Sequence, residues 1–179
     1  MRGSEANISL QSAVGGSTQE KGAKLNWYTF EEVAPEMAAA WKEQFERARG
    51  VMLIGTIRRD GSPRISNVDP CILAGELYLG MMWHSRKAVD LLRDPRILVR
   101  NPICSSTGEE VELSVRGRAI EIHDPEARRR YVSERPVWKE LRFHLFTVDI
   151  ESVALVKYGG GEQSVKLWPQ DIEYNRPYP

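Results

Sequence analysis

The sequence has few cysteines and no excess of charge of either sign. Its two cysteines, Cys71 and Cys104, have neither the spacing of zinc ligands nor the number that a disulfide framework needs. Both lie in apolar, strand-like stretches, so we expect buried structural thiols. The formal net charge is +0, which excludes a global attraction to nucleic acid or to anionic membranes. Any site for an anion must therefore be built locally.

The chain also has no long apolar run and no recognisable signal-peptide pattern. No stretch approaches the roughly 20 apolar residues of a transmembrane helix, and the first residues do not have the pattern of a secretory signal peptide, so none is expected. Hydrophobic residues make up 41% of the sequence and charged residues 28%, a balance typical of a globular domain. These features predict a cytoplasmic protein that binds neither membranes nor nucleic acid.

The N-terminal region differs in composition from the rest of the chain. Residues 1–24 are rich in Ser, Gly, Gln and Ala and show no apolar period, which is typical of a flexible arm. The remaining residues, 25–179, are numerous enough to form one domain with its own core. The sequence therefore predicts a flexible arm over residues 1–24 and a single domain over residues 25–179.

Strand patterns dominate this domain. A first helix is predicted from Thr29 to about Arg49, since Thr29 and Glu32 have the spacing of a capping box. After it, the Asp60-Gly61 pair predicts a hairpin turn between two strands. Two more helices are predicted, one beginning after Ser85 and one after Asp124. The predicted strands are Val51–Ile57, Arg64–Val68, Glu76–Met82, Arg96–Arg100, Val111–Ile122, Phe143–Ile150, Ser152–Tyr158 and a short one through Gln163, Val165 and Leu167.

The apolar alternation changes parity across Gly117. Leu113 and Val115 precede the glycine on odd positions, whereas Ile120 and Ile122 follow it on even positions. Such a change is typical of a bulge or bend at the corner of a barrel. Together with the hairpins, it favours a mainly β fold over a doubly wound sheet. We therefore predict a closed or half-closed barrel of six to seven antiparallel strands with flanking helices.

The helix in "SRKAVDLLRDP" begins with an unusual charge arrangement. Ser85 is the expected N-cap, and Arg86 and Lys87 are the first helical residues. Two cations at the positive end of a helix oppose its macrodipole. They are either solvated surface residues or, with Ser85 and the free backbone N–H groups, an anion site. A bound phosphate would make this charge placement favourable.

No catalytic constellation accompanies this helix. The histidines His84, His123 and His144 are scattered, with no HExxH motif and no cysteine partner. His84 either contacts a ligand or ends a strand; we expect His123 to be solvated and His144 to lie on the less apolar face of a strand. Gly159–Gly161 lacks a following helix and predicts a turn, not a P-loop. The run Arg128–Arg130 lacks interleaved aromatics and is expected to be a solvated helix face. No metal site is predicted.

Three stretches resemble a known family. "GSPRISNV", "LYLGMMWHSRKAVDLLRDPRILV" and "VELSVRGRAIEI" are similar to the pyridoxamine 5′-phosphate oxidase-like superfamily of FMN-binding split barrels. The resemblance covers about Val51 to Trp168, and "SRKAVDLLRDP" is its most specific part. The "SNV" resembles the variant found in small actinobacterial flavin- or deazaflavin-dependent members. The resemblance implies a homodimer with two FMN sites at the interface, each shared by both chains.

The resemblance also implies which residues surround the cofactor. Arg86 and Lys87, with Ser85 beside them, would hold the FMN phosphate. Glu112 falls where the oxidase proper has a glutamine that faces the flavin. Trp168 either resembles the late tryptophan that reaches the partner's cofactor or anchors a core or interface. The further implied cofactor-binding positions are Arg64, Ser66, Asn67 and Val68 on the second strand and Met81 and Met82 on its neighbour.

The sequence departs from the oxidase proper in two places. The tail "LWPQDIEYNRPYP" has no Arg-x-His substrate motif, and Ser66 replaces an arginine of the second strand. We therefore predict an FMN-dependent oxidoreductase acting on an unidentified small molecule, not a pyridoxamine phosphate oxidase. The alternatives are an F420-dependent reductase of the same fold and a non-catalytic flavin- or haem-binding protein, with His84 as the candidate axial ligand. A barrel that has lost its cofactor and serves as an interaction module is a further alternative.

Overall fold

Antiparallel strands dominate the computed structural model, which describes residues 24–103 and 108–177. These residues form nine strands in one sheet, together with four α-helices and a short 3-10 helix, Pro136–Trp138. Most of the predicted N-terminal arm, and Cys104, lie outside the described residues. No helix within the described ranges is long and apolar enough to cross a membrane.

The helices and strands are numbered in chain order. The helices are α1 (Trp27–Val33), α2 (Pro35–Arg47), α3 (Arg86–Arg93) and α4 (Pro125–Glu134). The strands are β1 (Met52–Ile57), β2 (Pro63–Val68), β3 (Pro70–Leu73), β4 (Glu76–Met82), β5 (Arg96–Arg100), β6 (Val111–Glu121), β7 (Phe143–Gly159), β8 (Glu162–Trp168) and β9 (Ile172–Pro177).

The sheet is half-open. Its strand order is β2-β1-β5-β6-β7-β4-β3, and the β8–β9 hairpin adds to the second half of β7. This arrangement confirms the predicted mainly β, antiparallel architecture. The predicted number of strands is wrong, because β3 and β9 were not foreseen. Each contains a proline and lacks a clear apolar alternation, and proline is tolerated at the ends and edges of sheets.

Two predicted boundaries also need correction. The two strands expected between residues 143 and 158 are one continuous strand, β7. The helix expected from Thr29 to Arg49 is divided into α1 and α2, since Pro35 disfavours helical backbone at Ala34. The N-cap of α1 is Asn26, whose side-chain oxygen accepts a hydrogen bond from the Thr29 backbone at 3.0 Å. The capping box predicted at Thr29 is therefore wrong.

The main core lies between the sheet and the first two helices. Trp27, Phe30 and Trp41 are buried there. Trp27 packs edge-to-face against Phe30 and at a tilt against Trp41, at ring-centroid distances of 5.4 and 5.5 Å. A second, smaller cluster lies beneath α4 and includes Tyr131 and Phe143. Side chains of β4 and β7 belong to both clusters, so these strands are packed on both faces. The packed strand β4 leads directly into the turn before α3.

The predicted irregularity at Gly117 is confirmed, but its geometry differs from the expectation. Arg116 pairs with Ser152 and Gly117 with Ile150, so the extra residue of the bulge is Glu151 on β7. Ile120, one of the apolar residues on the even positions after the glycine, is exposed. The odd positions of β6 stay buried across the bulge because the register shift is absorbed by the partner strand.

Four further predictions concern single residues or turns. His123 is exposed, and Gly160 and Gly161 form the turn between β7 and β8, as expected. His144 was expected on a less apolar face but is buried, with its Nδ1 2.6 Å from Oε1 of Glu121. Cys71 is only half-buried.

The arginine run of α4 is solvated only in part. The guanidinium of Arg128 packs over the ring of Phe143, with its Cζ 4.3 Å from the ring centroid. Arg129 and Arg130 are exposed as predicted. The expectation of a fully solvated face is therefore wrong for the first of the three arginines.

Candidate functional site

The first turn of α3 carries the charge arrangement noted in the sequence. Ser85 occupies the N-cap position, as predicted, and its carbonyl accepts the first helical hydrogen bond, from Val89 at 3.0 Å. Its side chain makes no capping bond, and Oγ is buried without a hydrogen-bond partner among the described residues. The first N–H groups of a helix have no partners within the helix. The start of α3 therefore presents an unused hydroxyl and the positive end of the helix together.

A cationic cleft adjoins this helix start. It is open to solvent and has a volume of about 630 Å³. Five arginines and two aspartates line it, so that positive charge is in excess. The lining residues are Arg58, Arg59, Asp60, Arg64, His84, Arg86, Val89, Asp90 and Arg93.

Two guanidinium groups of this cleft are unengaged. The side chains of Arg59 and Arg86 form no hydrogen bond or ion pair with any residue in ranges 24–103 and 108–177. By contrast, the Asp60 carboxylate is held by the backbone N–H and hydroxyl of Ser62, at 2.9 and 2.7 Å. A planar guanidinium can bind a phosphate or carboxylate through two parallel hydrogen bonds. The cleft is thus chemically suited to an anion.

Lys87 is placed differently from Arg86. It is half-buried, and its Nζ donates to the backbone carbonyl of Asn67 on β2. Burial lowers the pKa of the Lys87 ammonium. An ammonium has three protons to donate, so Lys87 can tie α3 to β2 and still contact an anion.

A buried ionic group lies at the base of the cleft. Asp90, one turn after Arg86 on α3, accepts hydrogen bonds from Nε of Arg64 at 2.6 Å and from Oγ1 of Thr56 at 3.0 Å. Burial acts to raise the pKa of the Asp90 carboxyl. The hydrogen bonds from Arg64 and Thr56, with the charges of Arg64 and Arg93, nevertheless hold that pKa below its usual value.

The residues of β2 predicted to follow the flavin have different environments. Ser66 is half-buried and Asn67 exposed, whereas Val68 is in the main core. Ser66 pairs with Ile54 and Asn67 with Leu53 of β1, so β2 is the outer strand of this pair. Polar side chains and a free strand edge are therefore available beside α3.

The two methionines of β4 point in opposite directions. Met81 is buried in the main core, whereas Met82 is 70% exposed. The carbonyl of Met82 accepts a hydrogen bond from the backbone of Ser85 at 3.0 Å, so Met82 lies beside the start of α3. Of the two, Met82 has the accessible side chain.

Glu112 and Trp168 lie outside the cationic cleft of their own chain. The Glu112 carboxylate is 3.3 Å from Nη2 of Arg100 and accepts a 3.4 Å hydrogen bond from the Tyr158 hydroxyl. Trp168, at the end of β8, packs edge-to-face against Phe30 at 5.4 Å. The structure therefore does not bring these two residues together with Arg86 and Lys87 within one chain.

An aromatic stack beside the cleft was not predicted. The Trp83 ring is nearly parallel to His144 at 4.2 Å and to His84 at 4.7 Å, and the Arg142 guanidinium lies 3.7 Å from its centroid. His84 has a φ of +55° and projects from a turn into the cleft. The position of His84 at a strand end does not indicate this stack. The stack joins residues about 60 positions apart, and no local sequence pattern relates residues so far apart.

The rest of the cleft was also missed by motif analysis. Arg58, Arg59 and Asp60 belong to the β1–β2 hairpin, which the sequence predicted only as a turn. Arg93 is at the far end of α3. In the described part of the chain, no group of three or more His, Cys, Asp or Glu side chains is arranged to hold a metal ion.

No protein-family model matches the chain, and no curated protein matches it. Solved structures do. A pyridoxamine 5′-phosphate oxidase-related, FMN-binding protein from Nostoc punctiforme is 14% identical, with a TM-score of 0.55 over 79% of this chain and 95% of that one.

Two haem proteins also match. HutZ, the heme storage protein from Vibrio cholerae, is 15% identical, with a TM-score of 0.53 over 69% of this chain and 95% of that one. A heme-binding protein from Mycobacterium smegmatis is 21% identical, with a TM-score of 0.52 over 69% of this chain. This chain covers only 57% of the Mycobacterium protein. At these identities the likeness concerns the fold, and it confirms the predicted split barrel.

Proposed function

We propose that the protein binds FMN and acts as a flavin-dependent oxidoreductase on a small molecule. The phosphate would bind the phosphate clamp, defined as Ser85, Arg86 and Lys87. The observation that carries this proposal is the buried Oγ of Ser85, which has no partner in the described chain and lies beside the unpaired Arg86. A phosphate oxygen would accept the hydrogen bond that Ser85 lacks. It would also compensate the cations at the helix start.

The surroundings of the clamp suit the rest of a flavin. Such a site needs a charged clamp, polar groups for the ring edge and an apolar wall for the ring face. Ser66 and Asn67 on β2 provide polar groups, and Met82 provides an accessible apolar side chain. When bound, the flavin supplies hydride transfer. The residues of this chain bind and orient it.

We propose a homodimer with the cofactor at the interface. Ile65, Met82 and Val89 are apolar and exposed on β2, β4 and α3, around the clamp. A second copy that covers these side chains would remove them from water, which is favourable. It would also allow Trp168, which does not line its own cleft, to approach the partner's cofactor.

The clamp is tested by comparing FMN with riboflavin, which lacks the phosphate. For the Arg86→Ala/Lys87→Ala double variant, we expect FMN to bind about 100-fold or more weakly, because hydrogen bonds to charged groups each contribute about 1.5–3 kcal/mol. Riboflavin affinity should be nearly unchanged. Both dissociation constants are measured by titration of flavin fluorescence.

The matched control removes two adjacent exposed cations elsewhere. Arg129→Ala/Arg130→Ala on α4 should leave the affinities for both flavins unchanged. If the clamp variant keeps its FMN affinity, or loses affinity for both flavins equally, the phosphate assignment is wrong. Repeated oxidation or reduction of a candidate substrate, in molar excess over the bound flavin, separates an oxidoreductase from a storage protein.

Haem is the second candidate ligand. His84 is exposed and lines the cleft, and an imidazole is a common axial ligand. The arginines of the cleft would pair with haem propionates. Binding should then shift the Soret band of added haemin. His84→Ala should alter this shift, whereas His123→Ala, a control at an exposed histidine outside the cleft, should not. Binding of F420 in preference to FMN would favour the deazaflavin variant.

A further inference from the structure

We infer that Asp90 is a positioning residue that holds the guanidinium of Arg64 in the cationic cleft as a third phosphate-binding cation. This inference rests on the proposed FMN binding and deepens it. Asp90 is a buried acid in an arginine-rich cleft, yet in this role it would increase the affinity of the cleft for the phosphate.

Three elements determine the position of the Asp90 carboxylate. Its side chain is 6% exposed, and Oδ2 accepts from Nε of Arg64 on β2 and from Oγ1 of Thr56 on β1, at 2.6 and 3.0 Å. Oδ1 lies 3.6 Å from Nη1 of Arg93, one turn further along α3. A carboxylate held from two strands and its own helix has little freedom to move.

The contact to Nε determines which edge of the Arg64 guanidinium remains available. Because Nε donates to Asp90, the two Nη groups are left to bind other partners. Neither Nη has a hydrogen-bond partner in residues 24–103 and 108–177. The side chain is 21% exposed and lines the cleft. A guanidinium with one edge fixed and the other free is prepared for a bidentate contact with phosphate.

Asp90 also brings Arg64 close to the phosphate clamp. Residues four apart on a helix lie on the same face, so Asp90 and Arg86 project from the same side of α3. Arg64, which is bonded to Asp90, is thereby brought beside Arg86 although it comes from β2. The ion pair between Asp90 and Arg64 thus places a cation from β2 beside the cations of α3.

The two possible effects of Asp90 have opposite signs. If its only influence is its negative charge, Asp90→Asn should strengthen the binding of a phosphate dianion, since like charges repel. If it positions Arg64, the same substitution should weaken phosphate binding despite the gain in positive charge. The direction of the change therefore identifies the role.

The experiment measures the affinities for FMN and riboflavin in the wild type and in five variants. For Asp90→Asn we expect FMN to bind about tenfold or more weakly, the loss of roughly one charge-assisted contact, with riboflavin nearly unchanged. Asp60→Asn is the matched control, because Asp60 lines the same cleft but, within the described ranges, its carboxylate is hydrogen-bonded only to Ser62. It should leave FMN affinity unchanged or increase it.

The remaining variants test whether Asp90 acts through Arg64. In an Arg64→Lys background, Asp90→Asn should cause no further loss of FMN affinity, since the positioned guanidinium is already absent. Thr56→Val removes one donor to Asp90 without unpairing a charge, and should reduce FMN affinity by less than Asp90→Asn. If Asp90→Asn fails to fold, as judged by circular dichroism, Thr56→Val decides.

The outcomes separate this inference from the function on which it rests. If the wild type binds FMN no more tightly than riboflavin, the clamp itself is wrong and the inference falls with it. If the wild type prefers FMN and the Asp90 and Thr56 variants retain that preference, FMN binding stands and the role of Asp90 is wrong. Tighter FMN binding by Asp90→Asn would also overturn it.

Discussion

Ser85 and Asp124 occupy the same position at the start of their helices but use their side chains differently. Oδ2 of Asp124 accepts a 2.7 Å hydrogen bond from the backbone of Ala127 and so caps α4. Oγ of Ser85 makes no such bond at α3. The hydroxyl of Ser85 therefore contributes little to the ligand-free fold and is available for a ligand.

This difference predicts different costs of truncation. Ser85→Ala should leave the free energy of unfolding of the ligand-free protein unchanged or slightly raised, because it removes a buried hydroxyl without a partner. FMN affinity should fall about tenfold, the value of one hydrogen bond to a charged group. Asp124→Ala should lower the free energy of unfolding by about 1 kcal/mol and leave FMN affinity unchanged.

Urea denaturation of both variants without ligand, followed by flavin titration, measures these effects. A loss of stability in Ser85→Ala equal to that in Asp124→Ala would show that the hydroxyl caps α3 after all. Unchanged FMN affinity in Ser85→Ala would remove the serine from the clamp.

At the scale of elements, the β6–β7 pair depends on a close approach of backbones. A Cβ atom added to Gly117 would lie 2.0 Å from the carbonyl oxygen of Asp149. No side-chain rearrangement can relieve such a contact, since the obstacle is main chain. Glycine is therefore required where the bulge at Glu151 brings the strands together.

We expect Gly117→Ala to lower the free energy of unfolding by about 3 kcal/mol or more, at the upper end of overpacking effects. Gly55→Ala on β1 is the control: the atoms nearest to its Cβ would all belong to Leu98, and the shortest distance would be 3.4 Å, to Cβ, an ordinary contact. That variant should change stability by less than about 1 kcal/mol. Chemical denaturation measures both, and equal effects would show that the close approach at Gly117 is not needed.

Local chemistry determined which elements and which site residues were predictable. The Asp60-Gly61 turn, the Asp124 cap and the start of α3 each depend on neighbouring residues, so the sequence predicts them. The contacts of Asp90 with Arg64 and Thr56 join residues 26 and 34 positions apart. No periodicity indicates such pairs; only the folded sheet brings them together. The same reason applies to the aromatic stack of Trp83 with His84 and His144.

For the whole molecule, the half-open sheet leaves apolar side chains uncovered around the site. Ile65 on β2 is 73% exposed, and Val137, in the 3-10 helix after α4, is 72% exposed. Only Ile65 is near the clamp, on the strand that carries Arg64 and Ser66. The proposed dimer would cover the side chain of Ile65.

We therefore expect Ile65→Lys to convert a wild-type dimer into a monomer and to weaken FMN binding, because both chains contribute to each site in the proposed dimer. Val137→Lys, which changes an equally exposed residue, should remain dimeric and retain its FMN affinity. Sedimentation velocity measures the oligomeric state. A monomeric wild type, or an Ile65→Lys variant that still dimerises, would contradict the proposed arrangement.

The cationic cleft concentrates positive charge on a chain whose formal net charge is +0. The excess of arginine over aspartate in the cleft is therefore balanced by negative charges elsewhere in the sequence, and charges separated in this way attract a distant anion as a dipole does. The potential of a dipole decreases faster with distance than that of a net charge, and salt screens it further over about 8 Å at physiological ionic strength. We therefore expect the cleft to attract an approaching phosphate only near the protein surface.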